Sequence, residues 1–163
     1  MLRYLITLIA GVLLAGLSSA QCLTTLPPNP PLAPPEPYLA TPPNGMFWYG
    51  ADALWTDLSI NGKWEMRNNV ANGKGYTTKL TFWSRDFDSS KELEPKLIVT
   101  GKRLDGDAPS VAVARANAVF VTGPMPAAMM TGIDIPTAGC WELMAHYKGH
   151  ALTFIVSVGY FEK

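Results

Sequence analysis

Gly139-Cys140-Trp141-Glu142-Leu143-Met144-Ala145-His146-Tyr147-Lys148-Gly149-His150-Ala151-Leu152-Thr153-Phe154-Ile155-Val156-Ser157-Val158 is the stretch that decides the fold. Side chains of a strand point alternately to its two faces. On that rule Trp141, Leu143, Ala145 and Tyr147 share one face, opposite Cys140, Glu142, Met144 and His146. After Lys148-Gly149 the pattern resumes: Leu152, Phe154, Val156 and Val158 lie opposite Thr153, Ile155 and Ser157. Two strands with one apolar face each, joined at a glycine-containing turn, read as a hairpin laid on a core.

The same texture extends towards the N-terminus. Candidate strands are 46–50, 53–59, 63–68, 76–84, 95–104, 111–121, 127–134, 139–148 and 151–161. They are punctuated by Asn61-Gly62, Asn72-Gly73, Asp105-Gly106 and Gly123-Pro124. In 76–84, Tyr76, Thr78, Leu80 and Phe82 face one way, and Thr77, Lys79, Thr81 and Trp83 the other. The stretch 108–121 is the most ambiguous, because its alanines tolerate a helix. Short strands, each with one apolar face, predict an immunoglobulin-like antiparallel β-sandwich over residues 46–163. A small β-barrel is the alternative.

Two segments precede that domain. Met1-Leu2-Arg3 is a short positive start, Tyr4 to Leu17 is an uncharged apolar run, and Ser18 and Ala20 supply small residues where a signal peptidase reads. Residues 1–20 are therefore predicted to be a secretory signal peptide, leaving Gln21 first. The run is short of the roughly 20 residues of a membrane span, and an uncleaved anchor is the competing reading. Residues 21–45 form a proline-rich leader: Pro27, Pro28, Pro30, Pro31, Pro34, Pro35, Pro37, Pro42 and Pro43 exclude helix and inner strand and predict extended chain.

Removing Arg3 from a chain with 13 basic and 13 acidic residues leaves the mature protein near minus one. It carries no basic face for nucleic acid and no polybasic patch for a membrane. A membrane contact would need lipidation of Cys22. The residues before it, Gln21 and Ser19 three positions earlier, fit a lipobox poorly.

The two cysteines, Cys22 and Cys140, are expected to pair in an exported chain. Cys140 falls opposite Trp141, so such a bridge would staple the leader to the outside or edge of a sheet rather than cross the core. Lipidation of Cys22 would exclude the bridge.

Tyr49-Gly50, Ala53-Leu54-Trp55-Thr56, Leu97-Ile98-Val99-Thr100-Gly101-Lys102-Arg103-Leu104-Asp105, Gly139-Cys140-Trp141-Glu142-Leu143 and Leu152-Thr153-Phe154, with Cys22, Thr24 and Pro27 ahead of them, carry a family likeness. Over most of residues 46–158 the chain resembles a group of uncharacterised secreted bacterial proteins, single β-sandwich domains with a cysteine near the mature N-terminus. The resemblance implies the sandwich and the Cys22–Cys140 pair, and no activity. The long proline run departs from the shorter leader of that group.

Chemistry is sparse. Only His146 and His150 offer a base to a nucleophile, and no Gly-x-Ser-x-Gly motif is present. Asp86, Asp88, Glu92 and Glu94 cluster, but without the glycine and spacing of an EF-hand loop or an evident cleft for paired carboxylates, so they read as a solvated loop. A copper site would draw on His146, His150 and the methionines Met125, Met129, Met130 and Met144. Against it, Met129 and Met130 suit a buried strand and the histidines suit solvent.

Five tryptophans are many for this length. Trp141 is expected in the core. Trp83, beside Lys79 and Thr81, is expected either exposed, as a stacking surface for a sugar ring or a protein contact, or capped by a sheet edge or by the leader. The sequence thus predicts an exported, non-enzymatic domain without a cofactor. It would bind an envelope or extracellular protein or glycan, with Trp83 and Lys79 as the candidate surface. A small copper- or other metal-handling periplasmic protein is the alternative.

Overall fold

The computed structural model describes residues 21–159 apart from 43, 52, 66, 69–74 and 121–124. The predicted signal peptide therefore lies outside the described residues, as do the tip of the Asn72-Gly73 turn, the Gly123-Pro124 turn and the end of the last candidate strand.

The quoted hairpin forms as its alternation requires. Strands β10 (Gly139–Tyr147) and β11 (His150–Gly159) pair antiparallel, with Trp141 opposite Val156, Leu143 opposite Phe154 and Ala145 opposite Leu152. Lys148 (φ 45°) and Gly149 (φ 84°) make the two-residue connection. Positive φ at both positions is what a tight hairpin turn needs to match strand twist.

The other strands are β1 (Met46–Ala51), β2 (Leu54–Ser59), β3 (Lys63–Glu65), β4 (Arg67–Asn68), β5 (Tyr76–Trp83), β6 (Ile98–Arg103), β7 (Ala112–Val113), β8 (Asn117–Val119) and β9 (Ala128–Ile135). They form two sheets that do not close into a barrel. The larger runs β1-β2-β5-β9-β7, with β4 also on β5 and β8 also on β9; the smaller runs β3-β11-β10-β6. Among the described residues no helix forms, including at the alanines of 108–121. The protein is an all-β sandwich.

The core lies between the apolar faces. Phe47, Leu58, Leu80, Phe82, Met129, Ile133 and Ile135 of the larger sheet meet Trp141, Leu143, Tyr147, Phe154, Val156 and Val158 of the smaller. These are the inward sets that the alternation assigned in β5, β10 and β11.

Two candidate strands turn out to be composite. Residues 63–68 change sheets: β3 joins the smaller sheet parallel to the end of β11, and β4 joins β5 in the larger. Among the described residues every other pairing is antiparallel. Residues 111–121 divide into β7 and β8, which both pair β9. Between them the chain leaves the ladder, held by Thr131 Oγ1 donating to the Ala114 carbonyl at 2.6 Å.

Candidate functional site

The leader is not a free spacer. Cys22 and Cys140 are joined by a disulfide, with Cα atoms 5.4 Å apart. Cys140 lies on the outer face of the smaller sheet, apart from the Trp141 side of β10, as its place in the alternation requires. Thr25 then lies along β11: its N–H donates to the Ile155 carbonyl at 2.8 Å, and its hydroxyl accepts from the Ile155 N–H at 2.8 Å.

Further along, the leader crosses to the outer face of the larger sheet. Trp48, Trp55 and Trp83 gather there with Ala128 into a second, smaller core, against which Leu32 and Tyr38 pack. Pro34 is buried. Trp48 and Trp83 meet edge to face at 5.0 Å, and so do Tyr38 and Trp55 at 4.8 Å. The Trp48 indole N–H donates to the Leu39 carbonyl at 2.8 Å. Segment 22–39 is thus a strap fastened to both sheets.

Of the two expectations for Trp83, capping by the leader is the one realised. Trp83 is 3% exposed and does not offer a stacking surface. The alternation placed it on the outward face correctly, but the leader, through Leu32 and Tyr38, covers that face. Gly50 makes the arrangement possible. At φ +139° and against the backbone of Trp55, a side chain there would collide with Trp55 Cα and Cβ.

Lys79 is different. It is exposed, two positions from Thr81, and lines a groove of about 270 Å³. The groove exists because the larger sheet is split. β2 pairs with β5 only at Trp55–Trp83 and Thr56–Phe82, and β4 only at Arg67–Thr77 and Asn68–Tyr76. Among the described residues, Thr78–Thr81 therefore have a ladder partner on the β9 side alone. Thr56 bridges the upper end, its hydroxyl donating to the Thr81 carbonyl at 2.7 Å. Met46, Asp57, Ser59, Lys63 and Trp64 complete the walls. Trp64 is half-buried and tilts against Phe154 at 5.9 Å on its core side.

Asp57 is the unusual member. It is half-buried, and its carboxylate has no ion pair among the described residues. Burial raises its pKa above the usual carboxylate range, against the lowering effect of its own backbone N–H. A half-buried acid with a raised pKa and no cation, lining a groove, is the kind of group that marks a site. The residue reading did not single it out. Its signal was a lone charge inside Leu54-Trp55-Thr56-Asp57-Leu58, on the same face as Trp55.

The metal candidates are not brought together. His146 is exposed on the outer face of β10, opposite Ala151, whereas His150 pairs with Tyr147 and belongs to the other face. Met129 is fully buried in the main core, Met125 packs under the tryptophans, and Met144 is half-buried on the His146 side. Among the described residues no three His, Cys, Asp or Glu side chains are grouped to hold an ion.

The acidic residues of 86–94 are each tied to a different partner. His150 Nε2 lies 3.0 Å from Asp86, Lys91 Nζ 2.7 Å from Asp88 and Arg115 2.9 Å from Glu94. Glu92 takes both the Tyr147 hydroxyl at 2.7 Å and Lys148 Nζ at 3.1 Å. Burial would raise the pKa of Glu92. These donors, with the Lys96 N–H, outweigh it and hold the carboxyl below its ordinary range. The arrangement fastens a loop and pairs no two carboxylates.

No protein-family model, curated protein or solved structure matches this chain. Among the described residues no helix is long and apolar enough to cross a membrane.

Proposed function

We propose that this is an exported, non-enzymatic binding domain acting at or outside the cell envelope, and that its partner, a protein or glycan of that compartment, is held at the split in the larger sheet. The observation that carries the reading is the groove at Thr78–Thr81, where a half-buried Asp57 without an ion pair among the described residues and the exposed Lys79 line the same opening.

Several features support the rest. The disulfide is compatible with an oxidising compartment outside the cytoplasm. It occupies the same sulfur that a lipid thioether would need, which favours a released protein over an anchored one. The non-enzymatic part is supported by the separation of His146 from His150 and by carboxylates already engaged with cations. The likeness to secreted bacterial sandwich proteins belongs to this proposal and points the same way.

The test is co-sedimentation of the purified, disulfide-bonded protein with washed envelope fragments of the source organism. The wild type should sediment with the fragments and Lys79→Glu should stay in solution, with both variants equally folded by circular dichroism. Failure of the wild type to sediment, or equal sedimentation of both, would overturn the reading.

A further inference from the structure

Resting on that reading, we infer that the groove takes a sugar ring of a neutral glycan, with its hydroxyls shared between Asp57 and Lys79 and one face towards Trp64. The shape argues for a compact ligand. At about 270 Å³ the groove sits just below the usual 300–1,000 Å³ of small-molecule pockets. β5 is open for only four residues, Thr78–Thr81, or about 13 Å at ~3.3 Å per residue. Both ends of that opening are closed, by β2 at Thr56 and by β4 at Thr77. An extended peptide adding as a strand needs to run on past its pairing segment, and here it would meet β2 or β4.

The chemistry argues for hydroxyls. A phosphate or other strong anion would be placed beside the desolvated Asp57 carboxylate. A lone cation would be placed beside Lys63 and Lys79. A polyol meets neither penalty, because its hydroxyls can donate to the carboxylate and accept from an ammonium. Ser59, Thr78 and Thr81 line the same groove and add neutral donors and acceptors. Trp64 brings an aromatic wall whose core side is already used by Phe154. The C–H face of a pyranose suits the electron-rich face of an indole.

The experiment is ligand-observed saturation-transfer NMR on the intact, disulfide-bonded protein. The probes are glucose, galactose, mannose and N-acetylglucosamine at millimolar concentration, and a soluble chitin tetramer to separate a free sugar from a polymer end. At least one probe should show transfer. Asp57→Asn should weaken it about 10- to 100-fold, the loss expected for charge-assisted hydrogen bonds. His146→Ala, on the outer face of the other sheet, should leave it unchanged. Silence from every probe, or full binding by Asp57→Asn, would overturn the sugar assignment. If the probes are silent while Lys79→Glu still abolishes sedimentation with envelope fragments, the sugar is wrong and the binding domain stands. If sugars bind but envelope fragments do not, the ligand class holds and the envelope role falls.

Discussion

Breaking the Cys22–Cys140 bridge is the perturbation whose size follows most directly from the structure. The bridge spans 118 positions. In the chain-entropy treatment a loop of that length removes about 4.9 kcal/mol of freedom from the unfolded chain, and native disulfides deliver about 2–5 kcal/mol in practice. A domain of this size has about 5–15 kcal/mol in total, so the loss is a substantial share of it. With a urea slope near 2 kcal/mol per molar, the unfolding midpoint should fall by roughly 1–2.5 M. The assay is urea unfolding followed by tryptophan fluorescence, on the wild type, Cys22→Ala, Cys140→Ala and the double variant, with reduced wild type as the control free of substitutions. Because the two sulfurs act as one unit, the double variant should lose about as much as either single one. A loss below about 1 kcal/mol, or single losses that add up in the double variant, would refute the idea that the bridge fastens the leader to the domain.

Deleting residues 21–43 removes the strap that covers Trp48, Trp55 and Trp83; the tryptophan emission should shift red, acrylamide quenching should rise, and the protein should self-associate in gel filtration. Asp57→Asn should raise stability by about 0.5–2 kcal/mol in thermal melts while binding is lost, the pattern of a residue kept for function. The sign follows from the raised Asp57 pKa: the folded state holds the proton more tightly, so wild-type stability gains as pH falls through that raised value, and the variant lacks the gain. Glu92 has the opposite sign. Its pKa is depressed, so its contribution is present above the ordinary glutamate value near 4.3 and is lost as pH falls through the lower folded value. Melts of Glu92→Gln against wild type between about pH 3 and 6 should converge at the acid end.

How much of this was legible in the chain depends on where each strand lies. β5, β10 and β11 declared themselves because they are long, and each buries one face only, so period-two alternation fixes both strand and face. Residues 63–68 misled because a chain that switches sheets after three residues leaves no alternation to read; β3 pairs with β11 and β4 with β5. The split of 111–121 was hidden for a related reason. Thr131 ties down the excursion from a neighbouring strand, and nothing local signals that bond.

Trp83 and Asp57 show why the site was harder than the fold. Alternation correctly put Trp83 outward, but outward is not exposed: whether a strand's second face meets water depends on a segment more than forty residues earlier in the chain, and only the proline content of that segment hinted at a covering role. Asp57 shares a face with Trp55, two positions closer to the gap, and its place at the groove follows from the divergence of β2 and β5, which is a property of two strands and not of either sequence. The strap and the gap therefore divide the outer face of the larger sheet. Where β2 and β5 stay paired, at Trp55–Trp83, the leader seals the surface with Leu32 and Tyr38. Where they part, the leader is absent from the groove lining, and mostly polar side chains, with Met46, Trp64 and Leu80, line the opening. A surface covered over its apolar half and left open over its polar half is what a domain needs to stay soluble and still present a hydrogen-bonding site, and it assigns the long proline run a place in that site's design beyond linking the domain to whatever precedes it.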